Sequence, residues 1–383
     1  MPRRAVLKIA GGVALAAVGG ATWRACRAGL LDTDESPYEL WDQWSSGQLD
    51  GSRWLVAAAV LAANPHDSQP WWFHITTSSI DVHLDLARAL GPVDPHLRQM
   101  HLGAGCAIEN LVVAGRGRGL DVAIESSAGA PTTLMARARV AGPVATEHRH
   151  FEALARRHTN RGPYRRDQAL TAAMIDALDS QVGDAATRLL LFDAGSAEGR
   201  AFGEAVIWAT RRLVVDVPFM EATDRWFRMT PREVALHRDG PSLETAGLGR
   251  VARWAAAIGP RPGATTSHDT WVSATIDRHV GTAPMFGAIC VRDRGSRDQL
   301  VAAGRLWQRL HLEATALGLG AQPLDQLLEL ADRERELAVE RAADPRLVAL
   351  APPGWTPVLM FRIGLPIDAA PPSARRKLES FLA

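Results

Sequence analysis

Two segments of this 383-residue chain, 199 positions apart, share one pattern of apolar residues and glycines. The first reads GCAIENLVVAGRGRGLDVAI from Gly105, and the second reads GRLWQRLHLEATALGLGAQP from Gly304. In each segment an amphipathic helix ends at a glycine followed by leucine (Gly119 and Gly318), as a left-handed C-terminal cap requires. Any two amphipathic helices with glycine stops align about as well, so the identities alone leave duplication and coincidence open. A duplication would give each half of the chain one such helix.

Strand patterns surround both helices. WWFHITTSSIDVHLDL has the alternating, β-branched character of a hairpin, and TTLMARARVAG, TRLLLFDA, FGAICVRD and WTPVLMFRIGLP read as further strands. Residues 216–285 are rich in Trp, Arg, Gly and Pro with weak periodicity, which predicts a lid or binding excursion. Within it Trp226, Phe227, Arg228 and Trp271 are expected either to shape a pocket or to cover a ligand. Tryptophans in such positions more often belong to the core.

Composition restricts the classes of partner. Hydrophobic residues make up 47% of the chain and charged residues 22%, which is typical of a globular protein. The formal net charge of +1 argues against nucleic acid as a principal partner. Only two of the 43 basic residues are lysines, so any single pair of arginines carries little information. Cys26, Cys106 and Cys290 are far apart in sequence, which argues against a disulfide framework or metal site.

The first 28 residues predict a targeting segment. Arg3 and Arg4 precede an apolar run from Ile9 to Trp23, which is shorter than the roughly 20 residues that cross a bilayer. The arginine pair resembles the twin-arginine export signal, which implies an exported protein in the cell envelope, or one that its uncleaved segment anchors to the membrane. The alternative is an ordinary N-terminal helix with two chance arginines, and a cytoplasmic protein.

Three short motifs resemble those of the FMN-dependent nitroreductase family. PHDSQPW at 65–71 resembles its Asn-x-Gln-Pro-Trp signature, and RRHTNR at 156–161 resembles its N-terminal Arg-x-Ser-x-Arg turn. LGLGAQPLDQ at 317–326 resembles the loop that lies against the flavin ring. The resemblance extends over about residues 55–377 and is greatest to the double-length branch of the Acg type.

The resemblance implies an α+β, nitroreductase-like fold built as an intramolecular pseudo-dimer. Its two fused halves, 29–150 and 151–383, would each be a mainly antiparallel sheet flanked by helices, with the excursion at about 216–285 inserted in the second. Ordinary members of the family are homodimers with two flavins, each bound between the subunits. Here each motif occurs once, so we expect a monomer with one flavin site at the junction of the halves.

The same resemblance implies which residues bind FMN. Arginine matches phosphate with paired, charge-assisted hydrogen bonds, although a solvated helix end is the alternative for RRHTNR. The implied residues are Arg157, His158, Thr159, Arg161, Arg375 and Arg376 at the phosphate and ribityl end, Asp67, Ser68 and Gln69 at the ribityl chain or ring, and Gln322, Pro323, Leu324 and Asp325 as backbone N–H donors to the ring edge. No catalytic side chain and no metal ligand is assigned.

Asp67 departs from the family pattern, which has asparagine there. An ionised carboxylate only accepts hydrogen bonds, whereas an amide also donates them. A carboxylate that faces reduced, anionic flavin would lower the flavin potential. Alternatively, Asp67 pairs with a neighbouring arginine or with His66.

By resemblance, the chain would pass a hydride from NAD(P)H through FMN to a nitroaromatic or quinone-like acceptor. One alternative is a non-enzymatic protein of the same fold that binds or stores flavin behind a closed lid. Another is a metal or hydrolase site at His66, His74 and His83. Against it, these histidines have no Glu or Cys partner at ligand spacing, and the chain has no G-x-S-x-G elbow.

Overall fold

The computed structural model describes residues 36–126, 133–249, 253, 256 and 263–383. The predicted signal or anchor, residues 1–28, lies outside this range. None of the helices described is both long and apolar enough to pass through a membrane.

Strands β1 to β4 form the first sheet. They are β1 (Trp71–Ile75), β2 (Ser79–Leu84), β3 (Leu120–Ser126) and β4 (Leu134–Pro143), and they pair antiparallel in the order β1-β2-β4-β3. β1 and β2 are the predicted hairpin, closed by the pair Ile75 and Ile80.

Strands β5 to β8 form the second sheet. They are β5 (Thr187–Asp193), β6 (Met285–Val291), β7 (Gly320–Pro323) and β8 (Thr356–Gly364), again all antiparallel, in the order β5-β6-β8-β7. All seven residues of β6 are buried, as expected of a strand covered on both faces.

Helices flank both sheets, and several begin at a side-chain N-cap: Thr171, Ser196, Asp216 and Ser296 each accept a hydrogen bond from a first-turn N–H. In chain order the helices are α1 (Glu39–Ser45), α2 (Gly51–Val60), α3 (Arg98–Gly117), α4 (Arg149–Ala153), α5 (Ala172–Asp179), α6 (Ala197–Leu213), α7 (Val217–Trp226), α8 (Pro231–His237), α9 (Ala264–Ser273), α10 (Arg297–Ala316), α11 (Gln326–Glu336) and α12 (Asp344–Ala349). Helix α9 continues into a π-helix, Ala274–Val280. Residues 216–285 are therefore more helical than their weak periodicity predicts.

The two sheets are built in the same way. In each sheet, one edge strand and its inner neighbour come first in the chain, a 20-residue helix follows, and then come the second edge strand and the second inner strand. The two helices, α3 and α10, begin 199 positions apart. The shared strand order supports duplication over coincidence. The predicted α+β fold, with two fused halves that are each an antiparallel sheet flanked by helices, is confirmed. The exact limits of the halves stay a prediction.

Helices α3 and α10 pack directly against each other and join the halves. They cross at the two aligned glycines: a Cβ built on Gly105 would overlap the carbonyl oxygen of Val301, and one on Gly304 would overlap that of Leu102. The backbones touch here because neither glycine has a side chain. Beside the crossing, Gln308 Nε2 donates to Asn110 Oδ1 at 2.7 Å. The hydrophobic core continues across this contact from one half into the other.

Candidate functional site

Two buried arginines cap the C-terminal end of α2. Arg375 donates from Nε to the carbonyl oxygen of Val60 at 2.8 Å and from Nη2 to that of Ala62 at 3.2 Å. Arg157 donates from Nη2 to the carbonyl oxygen of Leu61 at 2.9 Å. Helix C-termini leave such carbonyls unpaired and carry partial negative charge, so both guanidinium groups are well placed there. The contacts bring the C-terminal segment and the RRHTNR turn to the end of α2.

Asp67 lies in the turn that follows α2, at the same place. Its Oδ1 accepts from Arg375 Nη1 at 2.6 Å and from Asn64 Nδ2 at 3.3 Å, while Oδ2 is buried and has no hydrogen-bond partner among the described residues. Burial raises the pKa of Asp67 to about 6, although the charge of Arg375 opposes that rise. Of the alternatives left open for this carboxylate, the structure shows the pair with arginine.

The turn is strained. His66, Asp67 and Gln69 have φ of 48°, 46° and 50°, in the left-handed region that favours glycine. Strained residues of this kind persist only where surrounding contacts hold them, and they cluster at binding and active sites. Here the side chains of Asn64 and Arg375 hold the turn, since Asn64 Oδ1 accepts from the N–H of Gln69 at 2.8 Å.

A small polar cleft opens beside the turn, and we call it the cationic cleft. Arg157 Nε is buried there without a partner among the described residues, and Arg161 donates only a 3.3 Å hydrogen bond, from Nη1 to the carbonyl oxygen of Thr245. Both guanidinium groups therefore keep donors for a ligand. The lining residues are Ala63, Asn64, Asp67, Arg157, His158, Thr159, Arg161, Gly240, Pro241, Thr245, Pro371, Ser373 and Arg375.

The electrostatics of the cleft favour an anion. Burial, assisted by Arg375, lowers the pKa of Arg157 to about 10, which still leaves it charged at neutral pH. Burial and the charges of Arg157 and Arg375 lower the pKa of His158 to about 3, so this imidazole is neutral. A ligand anion would relieve the mutual repulsion of these cations in a desolvated setting, where such interactions are strong.

A large cavity of about 800 Å³ continues from the cleft. The two share a wall of Ala63, Asn64, Thr159, Arg161 and Pro241. The volume falls within the roughly 300–1,000 Å³ of small-molecule and cofactor sites. The wall is mostly apolar and aromatic, with contributions from α3, α7, α9 and α10: Leu102, Phe219, Met220, Phe227, Met229, Leu243, Trp271, Trp307 and Leu359.

The structure brings most of the implied FMN-binding residues together. Asp67, Arg157, His158, Thr159, Arg161 and Arg375 line the cationic cleft, and Gln322, Pro323 and Asp325 line the large cavity, where Thr159 and Arg161 also appear. The turn of the first half and the turn of the second thus meet in one place. That these residues bind a ligand stays a prediction.

Four of the implied residues, Ser68, Gln69, Leu324 and Arg376, line neither space. Gln69 and Arg376 instead bind each other, since Gln69 Oε1 accepts from the N–H of Arg376 at 3.0 Å and Arg376 Nη2 donates to the carbonyl oxygen of Gln69 at 3.1 Å. Ser68 is fully buried. These residues hold the turn instead of facing the cleft.

The prediction of backbone N–H donors in the loop after β7 is partly wrong. Pro323 has no N–H, and the N–H of Leu324 donates to the carbonyl oxygen of Met360 at 2.7 Å, so neither can donate to a ring. The Asp325 carboxylate accepts from the N–H of Met360 at 2.8 Å and from Arg98 Nη1 at 3.1 Å. Hydrogen bonds within the sheet and this ion pair therefore occupy much of the hydrogen-bonding capacity that the resemblance implied for the flavin ring.

The excursion at 216–285 shapes the large cavity. Phe227 and Trp271 line it, whereas Trp226 is buried beside Arg88, and Arg228 pairs with Asp239 at 2.6 Å. Of the two roles left open for these residues, the structure favours shaping the pocket for Phe227 and Trp271.

Sequence reasoning missed several polar groups on the cavity wall. Arg278 and His279 lie on the π-helix, and Gln326 and Glu329 lie one turn apart on α11. Burial raises the pKa of Glu329 to about 8, so it is largely protonated at neutral pH, and its Oε1 accepts from Gln99 Nε2 at 3.1 Å. A π-helix has no pattern that a sequence reveals, so Arg278 and His279 gave no signal.

The three histidines of the predicted metal alternative have different surroundings. His83 stacks on Trp72 at 3.9 Å across the β1–β2 hairpin, and His74 lies on the same hairpin, whereas His66 lines the cavity. Among the described residues, no group of three or more His, Cys, Asp or Glu side chains is arranged to hold a metal ion.

No family model matches the chain, and a search of curated proteins finds no match. Similar solved structures include the FMN-dependent nitroreductase NfnB from Mycobacterium smegmatis in complex with NADPH, at 17% identity and a TM-score of 0.37 over 60% of this chain and 96% of that one. The FMN- and NADPH-dependent nitroreductase NfnB from Sphigopyxis has 14% identity and a TM-score of 0.39 over 61% and 97%. A nitroreductase with bound FMN from Bacteroides fragilis has 12% and 0.33 over 60% and 95%. Likeness of this size carries no argument about ligand or activity.

Proposed function

We propose that this protein is an FMN-dependent oxidoreductase that binds one flavin at the junction of its halves. The observation that carries the proposal is a desolvated cationic cleft that opens into a large aromatic cavity, with both halves supplying the walls. FMN has the matching shape, with a phosphate at one end and a flat ring at the other. When bound, it supplies hydride transfer from NAD(P)H to an oxidised acceptor.

The cleft suits the phosphate. Arg157 and Arg161 retain unused N–H donors there, and the Thr159 hydroxyl lines the same wall. Charge-assisted hydrogen bonds from guanidinium to phosphate are among the strong ones in proteins. The unpartnered Nε of Arg157 would gain a partner, which accounts for a buried donor that is otherwise hard to explain.

The large cavity suits the ring and a second flat molecule. Its apolar surface comes from both halves, with Leu102 in the first and Phe219, Trp271 and Trp307 in the second. The chain would orient the ring between these walls and leave room for NAD(P)H and then for a small aromatic acceptor in turn. That space favours turnover over storage behind a closed lid. Nitroaromatic and quinone-like compounds are the acceptors we propose.

Two further proposals rest on the sequence alone. Residues 1–28 direct export by the twin-arginine route to the cell envelope, with or without cleavage, and the chain acts as a monomer because each motif occurs once. Separation of cells into fractions and the mass of the purified protein in solution test them.

We expect the purified protein to bind one FMN per chain, because the described residues form one cationic cleft with arginines from RRHTNR. Absorbance titration with FMN gives the stoichiometry. Anaerobic NADPH should then bleach the flavin, and a nitroaromatic compound should restore its colour. Two flavins per chain, or no binding, would contradict the proposal, and a loaded protein without turnover would indicate storage.

A matched pair of variants locates the site. Arg161→Gln removes a cleft donor and should weaken FMN binding about ten- to hundredfold, since hydrogen bonds to charged groups contribute about 1.5–3 kcal/mol. Arg212→Gln removes an arginine that stacks on Trp208, outside the residues that line either space, and should leave FMN affinity unchanged. Equal affinities in the two variants would place the flavin elsewhere.

Asp67→Asn should tighten FMN binding in a pH-dependent way. A phosphate dianion next to the Asp67 carboxylate favours its protonated form, so below about pH 6 binding meets a neutral carboxyl and the two proteins behave alike. Above about pH 6 the free wild-type protein loses that proton, and its affinity falls relative to the variant. The ratio of the two dissociation constants should therefore rise with pH by up to about tenfold per unit.

The ratio is the right measure because FMN phosphate itself titrates near pH 6 in both proteins, and this effect cancels. Asp81→Asn is the control, since Asp81 pairs with Arg137 at 2.7 Å on the first sheet and lines neither space. A ratio that stays constant between pH 5 and 8 would show that Asp67 does not face the bound phosphate.

A further inference from the structure

Arg278 and His279 are consecutive residues of the π-helix that ends the excursion, and both line the large cavity. A π-turn inserts an extra residue into a helix and is frequent at functional sites. Here it places two successive basic residues on a wall whose surface is otherwise mostly apolar.

Both side chains lack partners for buried polar atoms. His279 is 7% exposed, and neither of its ring nitrogens has a hydrogen-bond partner in the part of the chain that the structure describes. Arg278 donates from Nη1 to the carbonyl oxygen of Gly247 at 2.6 Å, but its buried Nε is also unpaired. Unpaired buried polar groups are costly and rare, so the Nε–H of Arg278 and the one N–H of a neutral His279 ring call for a hydrogen-bond acceptor.

Charge around the pair is one-sided. Burial lowers the pKa of Arg278, and burial with the charges of Arg362, Arg278 and Arg161 lowers the pKa of His279 well below its ordinary value. His279 is therefore neutral and offers one N–H donor beside a charged guanidinium. Among the described residues, no carboxylate forms an ion pair with Arg278. The three acids of the cavity wall, Asp224, Asp325 and Glu329, have partners of their own.

Hydrogen bonds from Arg362 hold the backbone of Arg278 and His279 in place. Arg362 Nη1 donates to the carbonyl oxygens of Arg278 at 2.9 Å and His279 at 3.3 Å, and its Nε donates to Gln322 Oε1 at 2.7 Å. Arg362 is fully buried, so this hydrogen-bonded arrangement is rigid. The backbone that carries the two side chains is therefore fixed next to Gln322, on the wall of the large cavity, where the proposed function places the ring.

We propose that Arg278 and His279 bind the carboxylate of the acceptor, so that this protein reduces flat aromatic acids in preference to neutral aromatics. The aromatic wall takes the ring of such a compound, and the guanidinium and imidazole N–H groups take its charge. That the ligand is an electron acceptor rests on the proposed function, but the binding of an aromatic carboxylate does not.

The test compares two ligands of similar size and shape, the anionic 4-nitrobenzoate and the neutral 4-nitrobenzamide. Their binding to the full-length, FMN-loaded, oxidised protein is measured by calorimetry without NAD(P)H, so that no turnover occurs. We expect 4-nitrobenzoate to bind about ten- to hundredfold more tightly, as one or two charge-assisted hydrogen bonds provide. Equal affinities would overturn the proposal.

Variants assign the preference to the pair. Arg278→Gln should remove most of it, Arg278→Lys should keep part of it, and His279→Gln should reduce it without removing it. Arg212→Gln, outside the cavity lining, should keep the wild-type preference. A preference that survives both Arg278→Gln and His279→Gln would overturn the proposal even if one of these variants were poorly folded.

Two further arms separate this proposal from others. If Arg278→Gln changes only the discrimination between NADPH and NADH and leaves the 4-nitrobenzoate preference intact, the pair serves the nicotinamide phosphate and the proposal is overturned. FMN-free protein is titrated in parallel: 4-nitrobenzoate preference in a protein that never binds FMN would support the carboxylate site and refute the oxidoreductase. If the protein binds FMN and NADPH reduces it, but 4-nitrobenzoate binds no more tightly than 4-nitrobenzamide, the oxidoreductase is supported and the carboxylate site is refuted.

Discussion

Replacing Gly304 by alanine is expected to destabilise the protein by about 3 kcal/mol or more. A Cβ at this position would overlap the backbone carbonyl oxygen of Leu102 on the partner helix, which cannot rotate away as a side chain does. Helix propensity alone would favour alanine by about 1 kcal/mol, so the clash decides the sign. Overpacking typically costs about 1–3 kcal/mol and more where backbones must separate. Urea unfolding, followed by fluorescence, measures the change.

The same variant should weaken FMN binding, because α3 and α10 also carry cavity residues. Cys106 and Trp307 line the large cavity from the two sides of the crossing, and separation of the helices displaces both. Gly105→Ala should behave alike, since its Cβ would overlap the carbonyl oxygen of Val301. Gly142→Ala is the control: open space surrounds that position, and its stability should stay within about 0.5 kcal/mol of wild type. A Gly304→Ala protein as stable as wild type would mean that the halves do not meet at this crossing.

The sequence predicted the repeated plan but not the contact that joins the copies. Periodicity and the glycine stops at Gly119 and Gly318 report local conformation: each helix ends two residues before its glycine, which has a positive φ. Gly105 and Gly304 aligned in the sequence as a matching pair of residues. That their backbones touch depends on how the two helices cross, which no spacing within one helix encodes.

The sequence placed the candidate site at the level of segments. The PHDSQPW and RRHTNR motifs lie in turns that meet, and Arg157, Arg161 and Asp67 line one cleft, while the binding of flavin there stays a prediction. Which side chains of a turn face inward depends on its backbone, and the left-handed φ of Gln69 turns this residue towards Arg376 instead. Tertiary contacts impose such conformations on residues that avoid them locally, so sequence reasoning could not foresee them.

Arg375→Met should destabilise the protein by about 3–5 kcal/mol, the range for removal of one partner of a buried ion pair. Arg375 is 1% exposed, and it neutralises Asp67 at 2.6 Å while it caps the carbonyls at the end of α2. Methionine fills similar space but removes the charged donors that Arg375 supplies to the carboxylate and to the carbonyl oxygens. Denaturant unfolding at pH 7 gives the loss, and Arg212→Met, at an exposed arginine on α6 that stacks on Trp208, should change stability by about 1 kcal/mol or less.

Asp67 decides how that loss depends on pH. Its folded-state pKa, about 6, already lies above the ordinary value of 3.8, and removal of Arg375 raises it further. A group whose pKa is raised on folding favours the folded state at low pH and loses that contribution as pH rises through the folded pKa. The destabilisation by Arg375→Met should therefore be smaller at pH 5 than at pH 7. In the Asp67→Asn background no carboxylate is stranded, so the loss should shrink at pH 7 and become independent of pH. Strict additivity of the two substitutions at pH 7 would show that Arg375 acts through the α2 carbonyls alone.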